Sequence, residues 1–118
     1  MGLLVTNNPM VREEFKDEIA VEFVDTNLIG ILIHVRNYIH KGHLLFSHPL
    51  SGSIKPNETI YKTVVLSNVP GELDLQSVKI IEESVLTAQK FTDREIPEQF
   101  LHDMQVVDVS LIKATLKR

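Results

Sequence analysis

Cysteine is absent from the 118-residue chain. That removes disulfides, thiolate nucleophiles and zinc–thiolate sites in one step, and it fits a reducing compartment. Long apolar runs are absent too. No stretch reaches the roughly 18 apolar residues of a membrane span, and the chain does not open on a charged and then apolar signal peptide. Clustered positive charge is also missing. Twelve Lys and Arg stand against sixteen Asp and Glu, a net charge of −4 with the histidines neutral. A nucleic-acid footprint needs grouped cations, so neither nucleic acid nor a membrane is expected as a partner. The spacings of a Walker loop and of a dinucleotide fingerprint are missing, and no cofactor is expected.

What is present reads as a single domain spanning residues 1–118. A chain of this length buries roughly two-thirds of its unfolded surface, enough for a core without staples. Leu3-Leu4-Val5 reads as a short buried strand ended by Thr6-Asn7-Asn8-Pro9. A short helix is predicted over 9–16, with Pro9 in its first turn. Residues 20–24 are strand-like, with Val21 and Phe23 on one face. Asp25-Thr26-Asn27 offers three N-caps for a helix over 28–41, with Gly42 as its left-handed stop. Leu28, Leu32, Val35 and Ile39 share its apolar face, widened by Ile31 and Tyr38. Ile29 and Ile33 flank the narrow polar strip of Gly30, His34, Asn37 and Lys41, and so form a second apolar edge for burial or for self-association.

Leu44-Leu45-Phe46 has apolar residues facing both ways, the mark of a covered central strand. Residues 60–66 form a fourth strand rich in β-branched side chains. After the turn at Val69-Pro70-Gly71-Glu72, Asp74 caps a helix over 75–90 with Val78, Ile81, Val85, Ala88 and Phe91 as its buried stripe. Pro97 starts a last helix whose stripe is Phe100, Met104, Val107, Leu111 and Ala114. The pattern predicts an α/β fold. It is a three-layer sandwich with a mainly parallel sheet of about four strands in the order 2-1-3-4, strand 4 antiparallel, and helices on both faces.

In such a sheet the ligand site lies beyond the carboxyl ends of the strands, where the order reverses. That places it between strands 1 and 3, beside Asn7 and Asn8 and the loop after His48. The loop suits an anion. Ser51 and Ser53 donate hydroxyl hydrogens, Gly52 lets backbone N–H groups approach closely, and Lys55 supplies charge. Pro49 and Pro56 stiffen it. The plainer reading is a polar surface loop whose hydroxyls cap its own backbone. His48 is the candidate catalytic group, as a lone acid or base that titrates near neutral pH; its structural role would be to cap the strand end. A Ser-His-acid set lacks the Gly-x-Ser-x-Gly elbow. Metal is not expected, because His34 and His40 stand about 120° apart around a helix and His43 and His48 point to opposite faces of a strand.

Leu4-Val5-Thr6-Asn7-Asn8-Pro9, then His40-Lys41-Gly42-His43, then the run from His48 to Thr59 resemble the GrdX family. The resemblance continues to Asp103-Met104-Gln105-Val106-Val107-Asp108. GrdX proteins are encoded with glycine, sarcosine and betaine reductase genes. The resemblance implies a cytoplasmic accessory protein of a reductive amino-acid pathway, and it carries no catalytic residue over. Three functions stay open. One is an accessory protein binding a small anionic metabolite or a glycine reductase component. Another is a small enzyme acting on a carboxylated or phosphorylated substrate with His48 as acid/base. The third is a homo-oligomeric interaction protein, with a homodimer as one form.

Overall fold

The computed structural model describes residues 2–50, 60–91 and 95–116. The fold is mixed α/β. In chain order it runs β1 (Gly2–Thr6), α1 (Pro9–Phe15), β2 (Ala20–Phe23), α2 (Leu28–His40), β3 (Thr63–Ser67), α3 (Leu75–Gln89), a 3₁₀ turn (Glu98–Phe100) and α4 (Leu101–Leu116). The helix starts follow local chemistry. Asn8 caps α1 by accepting the Met10 N–H, Asn27 caps α2 through Gly30, and Asp74 caps α3 through Ser77. Gly42 ends α2 at φ +106°, where a Cβ would also run into the Gly71 carbonyl.

Among the described residues the sheet has three strands in the order β2-β1-β3. β1 pairs with β2 in parallel and with β3 antiparallel, Leu4 facing Val65 and Thr6 facing Thr63. The expected four-strand order 2-1-3-4 is therefore corrected. The stretch 44–46 is not a central parallel strand. It runs outside β3, makes one antiparallel bridge between Leu45 and Leu66, and leaves Leu44 and Phe46 42% and 52% exposed. Two facts explain the exchange. The apolar run between the Gly42 stop and Pro49 is only Leu44-Leu45-Phe46, flanked by His43, Ser47 and His48, whereas Val64-Val65-Leu66 fits a pleated, covered interior. The Ser77 hydroxyl then takes the outward Leu45 N–H at 3.1 Å, which blunts that edge.

Apolar side chains alternate across the sheet. Leu3, Val5, Val64 and Leu66 pack with Leu28, Ile31, Leu32, Val35 and Ile39 of α2 and with Ile81, Val85 and Ala88 of α3. Leu4 and Val65 pack on the other side with Val11 and Phe15 of α1 and Val109 and Ile112 of α4. Each fully buried Leu, Ile or Val contributes about 1.5–3 kcal/mol. Ile29 and Ile33 are partly buried against the first cluster. The α3 stripe shifts slightly. Ser77 and Ser84 are buried beside Ile81, while Phe91 is 37% exposed. The α4 stripe is reversed. Asp108, Val109 and Ile112 face inward, and Phe100, Val107 and Leu111 are 41–47% exposed.

Candidate functional site

Because β3 is antiparallel to β1, its first residue meets the last residue of β1. The chain entering β3, residues 60–63, therefore arrives beside Asn7 and Asn8. Polar side chains are concentrated there. Thr6, Asn7, Asn8, Lys62, Thr63 and Asp108 are all buried, and buried polar groups need partners.

Their hydrogen bonds form a chain of one polarity. The Thr63 hydroxyl donates to Asp108 Oδ2 at 2.7 Å, since an ionised carboxylate only accepts. The Thr6 hydroxyl must then donate to the Thr63 oxygen, 2.7 Å away. The Asn8 N–H donates in turn to the Thr6 oxygen at 3.0 Å. The Asn8 side-chain amide closes the circuit, donating to Asp108 Oδ2 at 3.0 Å and to the Gln105 carbonyl at 3.1 Å. One carboxylate on α4 thus fixes the ends of two strands and the start of α1. It also sets the rotation of α4, which explains why that helix buries Asp108 rather than its more apolar opposite face.

Asn7 does a related job on the loop side. Its amide donates to the Thr26 carbonyl at 2.8 Å and to the Ile60 carbonyl at 2.6 Å. Its oxygen accepts the Lys62 N–H at 2.8 Å. The side-chain N–H groups of the two asparagines beside the expected ligand site are therefore all taken by protein acceptors, and they shape the strand end that carries them. At the same end the Gln105 amide donates to the Tyr61 hydroxyl at 2.9 Å.

Lys62 is 8% exposed. Burial pushes its ammonium below the ordinary lysine value of 10.5, and the charge of Asp108 partly opposes the shift. The unfolded chain therefore holds this proton more tightly than the folded chain. Between the folded and unfolded values, stability rises with pH. We expect the stability of the native chain minus that of Lys62→Met to increase as pH climbs through the folded value, then to level off above about 10.5. Urea denaturation of both proteins across that range reads it, and a difference that is flat or falls would contradict the assignment.

Of the other residues singled out by sequence, His48 is exposed. Its Nδ1 accepts the Leu50 N–H across Pro49 at 3.1 Å. Ser51, Gly52, Ser53 and Lys55 lie outside the described residues. The remaining histidines of that region have separate partners. His34 Nδ1 meets the Gly30 carbonyl, His40 lies 3.5 Å from Glu82, and His43 Nδ1 meets the Ser67 carbonyl at 2.7 Å. Among the described residues, no group of three or more His, Asp or Glu is placed to hold a metal ion, and no helix is long and apolar enough to cross a membrane.

Sequence reasoning placed Asn7 and Asn8 in this neighbourhood but missed Thr63 and Asp108. The available signal was Asp108 itself, a lone carboxylate in Val106-Val107-Asp108-Val109, since an acid between valines on a packed helix needs a buried partner or a wet face.

A model of the family described as GrdX-like protein matches residues 3–117. Searches of curated proteins and of solved structures found no match.

Proposed function

The chain belongs to the GrdX-like family, and from that membership we propose a non-catalytic, cytoplasmic accessory protein of a glycine, sarcosine or betaine reductase pathway. Its site takes a small anionic metabolite, or an anionic group of a reductase component, at the carboxyl end of β1. The loop after His48 supplies the ligand contacts, with Ser51 and Ser53 as hydroxyl donors, Gly52 as the point of close backbone approach and Lys55 as the charge. Asn7 and Asn8 act there by holding the strand end. His48 borders the same loop.

The observation that supports this most is the Asn7 clamp. Its amide bonds the Ile60 carbonyl and the Lys62 N–H, and Leu50, on the other side of the loop, packs against the α2 core cluster. Leu50 and Ile60, on either side of residues 51–59, are thus both held to the body of the fold, which supports placing the ligand contacts between them.

A thermal-shift panel of glycine, sarcosine, betaine, acetyl phosphate and inorganic phosphate tests it. A ligand that binds only the folded chain, at a hundredfold its Kd, adds about 2.7 kcal/mol and raises the melting temperature. We expect an anion from this panel to produce that shift and the Ser53→Ala/Lys55→Ala double variant to abolish it, with its own unliganded melting temperature unchanged. A shift that survives in the double variant would move the site elsewhere. No shift with any anion would leave the reductase component as the ligand to test.

A further inference from the structure

α4 carries an apolar face that no described element covers. At about 100° per residue, Val107, Leu111 and Ala114 fall within about 60° of arc, and Phe100, at the end of the preceding 3₁₀ turn, stands at the stripe's N-terminal end. Phe100, Val107 and Leu111 are 47%, 47% and 41% exposed, and Ala114 is exposed. The opposite face holds Asp108, Val109 and Ile112 in the core. The helix is therefore apolar on two sides, of which the domain uses one.

The charges beside this face identify what fits it. The N-terminal side is acidic, with Glu95, Glu98 and Asp103 all exposed. The C-terminal side carries Lys113, which is exposed. Asp103 and Lys113 lie on the same flank of the stripe, about 40° and about 120° round from Val107. A two-fold axis at Val107 lays the helix antiparallel on a copy of itself and brings equal flanks together. Asp103 stands about 6 Å along the axis on one side of Val107 and Lys113 about 9 Å on the other, so each Asp103 comes level with the partner's Lys113 to within about 3 Å. A parallel pairing would set acid against acid. The Lys113 ammonium already meets Glu14 at 3.2 Å on its own chain and keeps two further donors.

We propose that this face of α4 is a homodimer interface, in which α4 packs antiparallel on α4 of a second copy around Val107. The proposal is independent of the anion reading, because the stripe contains none of the residues assigned to that site.

Sedimentation velocity of the full chain at increasing concentration is the test. We expect a monomer–dimer equilibrium, and loss of the dimer in Val107→Glu/Leu111→Glu, whose replaced side chains lie outside both core clusters, with the circular dichroism spectrum unchanged. Asp103→Lys and Lys113→Glu should each weaken dimerisation about tenfold, and an equimolar mixture of the two should recover it, because every flank contact is then a pair of opposite charges. A chain that stays monomeric at its highest soluble concentration overturns the proposal. So does a dimer that Val107→Glu/Leu111→Glu leaves intact, or a mixture that associates no better than its components.

Discussion

Asp108→Ala is expected to cost about 3–5 kcal/mol of folding stability, the largest single effect we assign. The carboxylate is the terminal acceptor of the chain that starts at the Asn8 N–H and passes through the Thr6 and Thr63 hydroxyls. Removing it leaves the Thr63 hydroxyl without its acceptor and deprives the Asn8 amide of one, each loss worth about 1–3 kcal/mol when buried. It also takes away the charge that favours the buried Lys62 ammonium. For a domain whose whole stability is about 5–15 kcal/mol, that is a large share. Asp108→Asn separates the contributions. Its amide oxygen can still accept from both Thr63 and Asn8, so only the charge is lost and the cost should be smaller. Urea midpoints with an unchanged slope measure both. Equal losses for the two variants would mean that charge, and not hydrogen bonding, dominates; a negligible loss for alanine would remove Asp108 from the role given to it.

Asn7→Asp is the second large effect, about 2–4 kcal/mol at neutral pH, for a change of one atom. The native amide donates two hydrogen bonds, to Thr26 and Ile60. An ionised carboxylate sets an anionic oxygen against the same two carbonyls, while its other oxygen still accepts the Lys62 N–H. The introduced acid resists ionisation in the folded state, so its folded pKa is raised above the unfolded value of about 3.9. The folded chain then binds the extra proton over the interval between the two values. The deficit relative to the native protein is small in acid and grows as pH rises from about 4, reaching its full size above the folded value. Asn7→Ala is the control, since it loses the same bonds with no dependence on pH. Parallel curves for the two variants would show that the Asn7 amide does not face those carbonyls as described.

Most of the helices were legible in the sequence because their signals are local. The Asp25-Thr26-Asn27 run and Asp74 announce the starts of α2 and α3, Gly42 announces the stop of α2, and Leu28, Leu32, Val35 and Ile39 mark the buried face. The polar end of β1 was legible in the same way, from the Thr6-Asn7-Asn8-Pro9 turn. The strand order was not. Leu44-Leu45-Phe46 and Val64-Val65-Leu66 are both short apolar runs, and periodicity alone does not say which one lies against β1. The inward face of α4 was hidden for a similar reason. Leu101 to Leu116 is apolar on two sides, so counting hydrophobic positions selected Phe100, Val107 and Leu111, the side that remains exposed.

The sequence by itself determined the α/β composition, the bounds of α1, α2 and α3 to within a residue or so, and the family, because each rests on contacts within a few residues or on motifs read along the chain. The tertiary structure decided which strand flanks β1, which way α4 turns, and which groups Asn7 and Asn8 hydrogen-bond. Those outcomes depend on partners far apart in sequence: Thr6 with Thr63, Asn7 with Ile60, and Asn8 with Asp108. A buried carboxylate or amide is stable only where all its donors and acceptors converge, and that convergence exists only once the chain has folded.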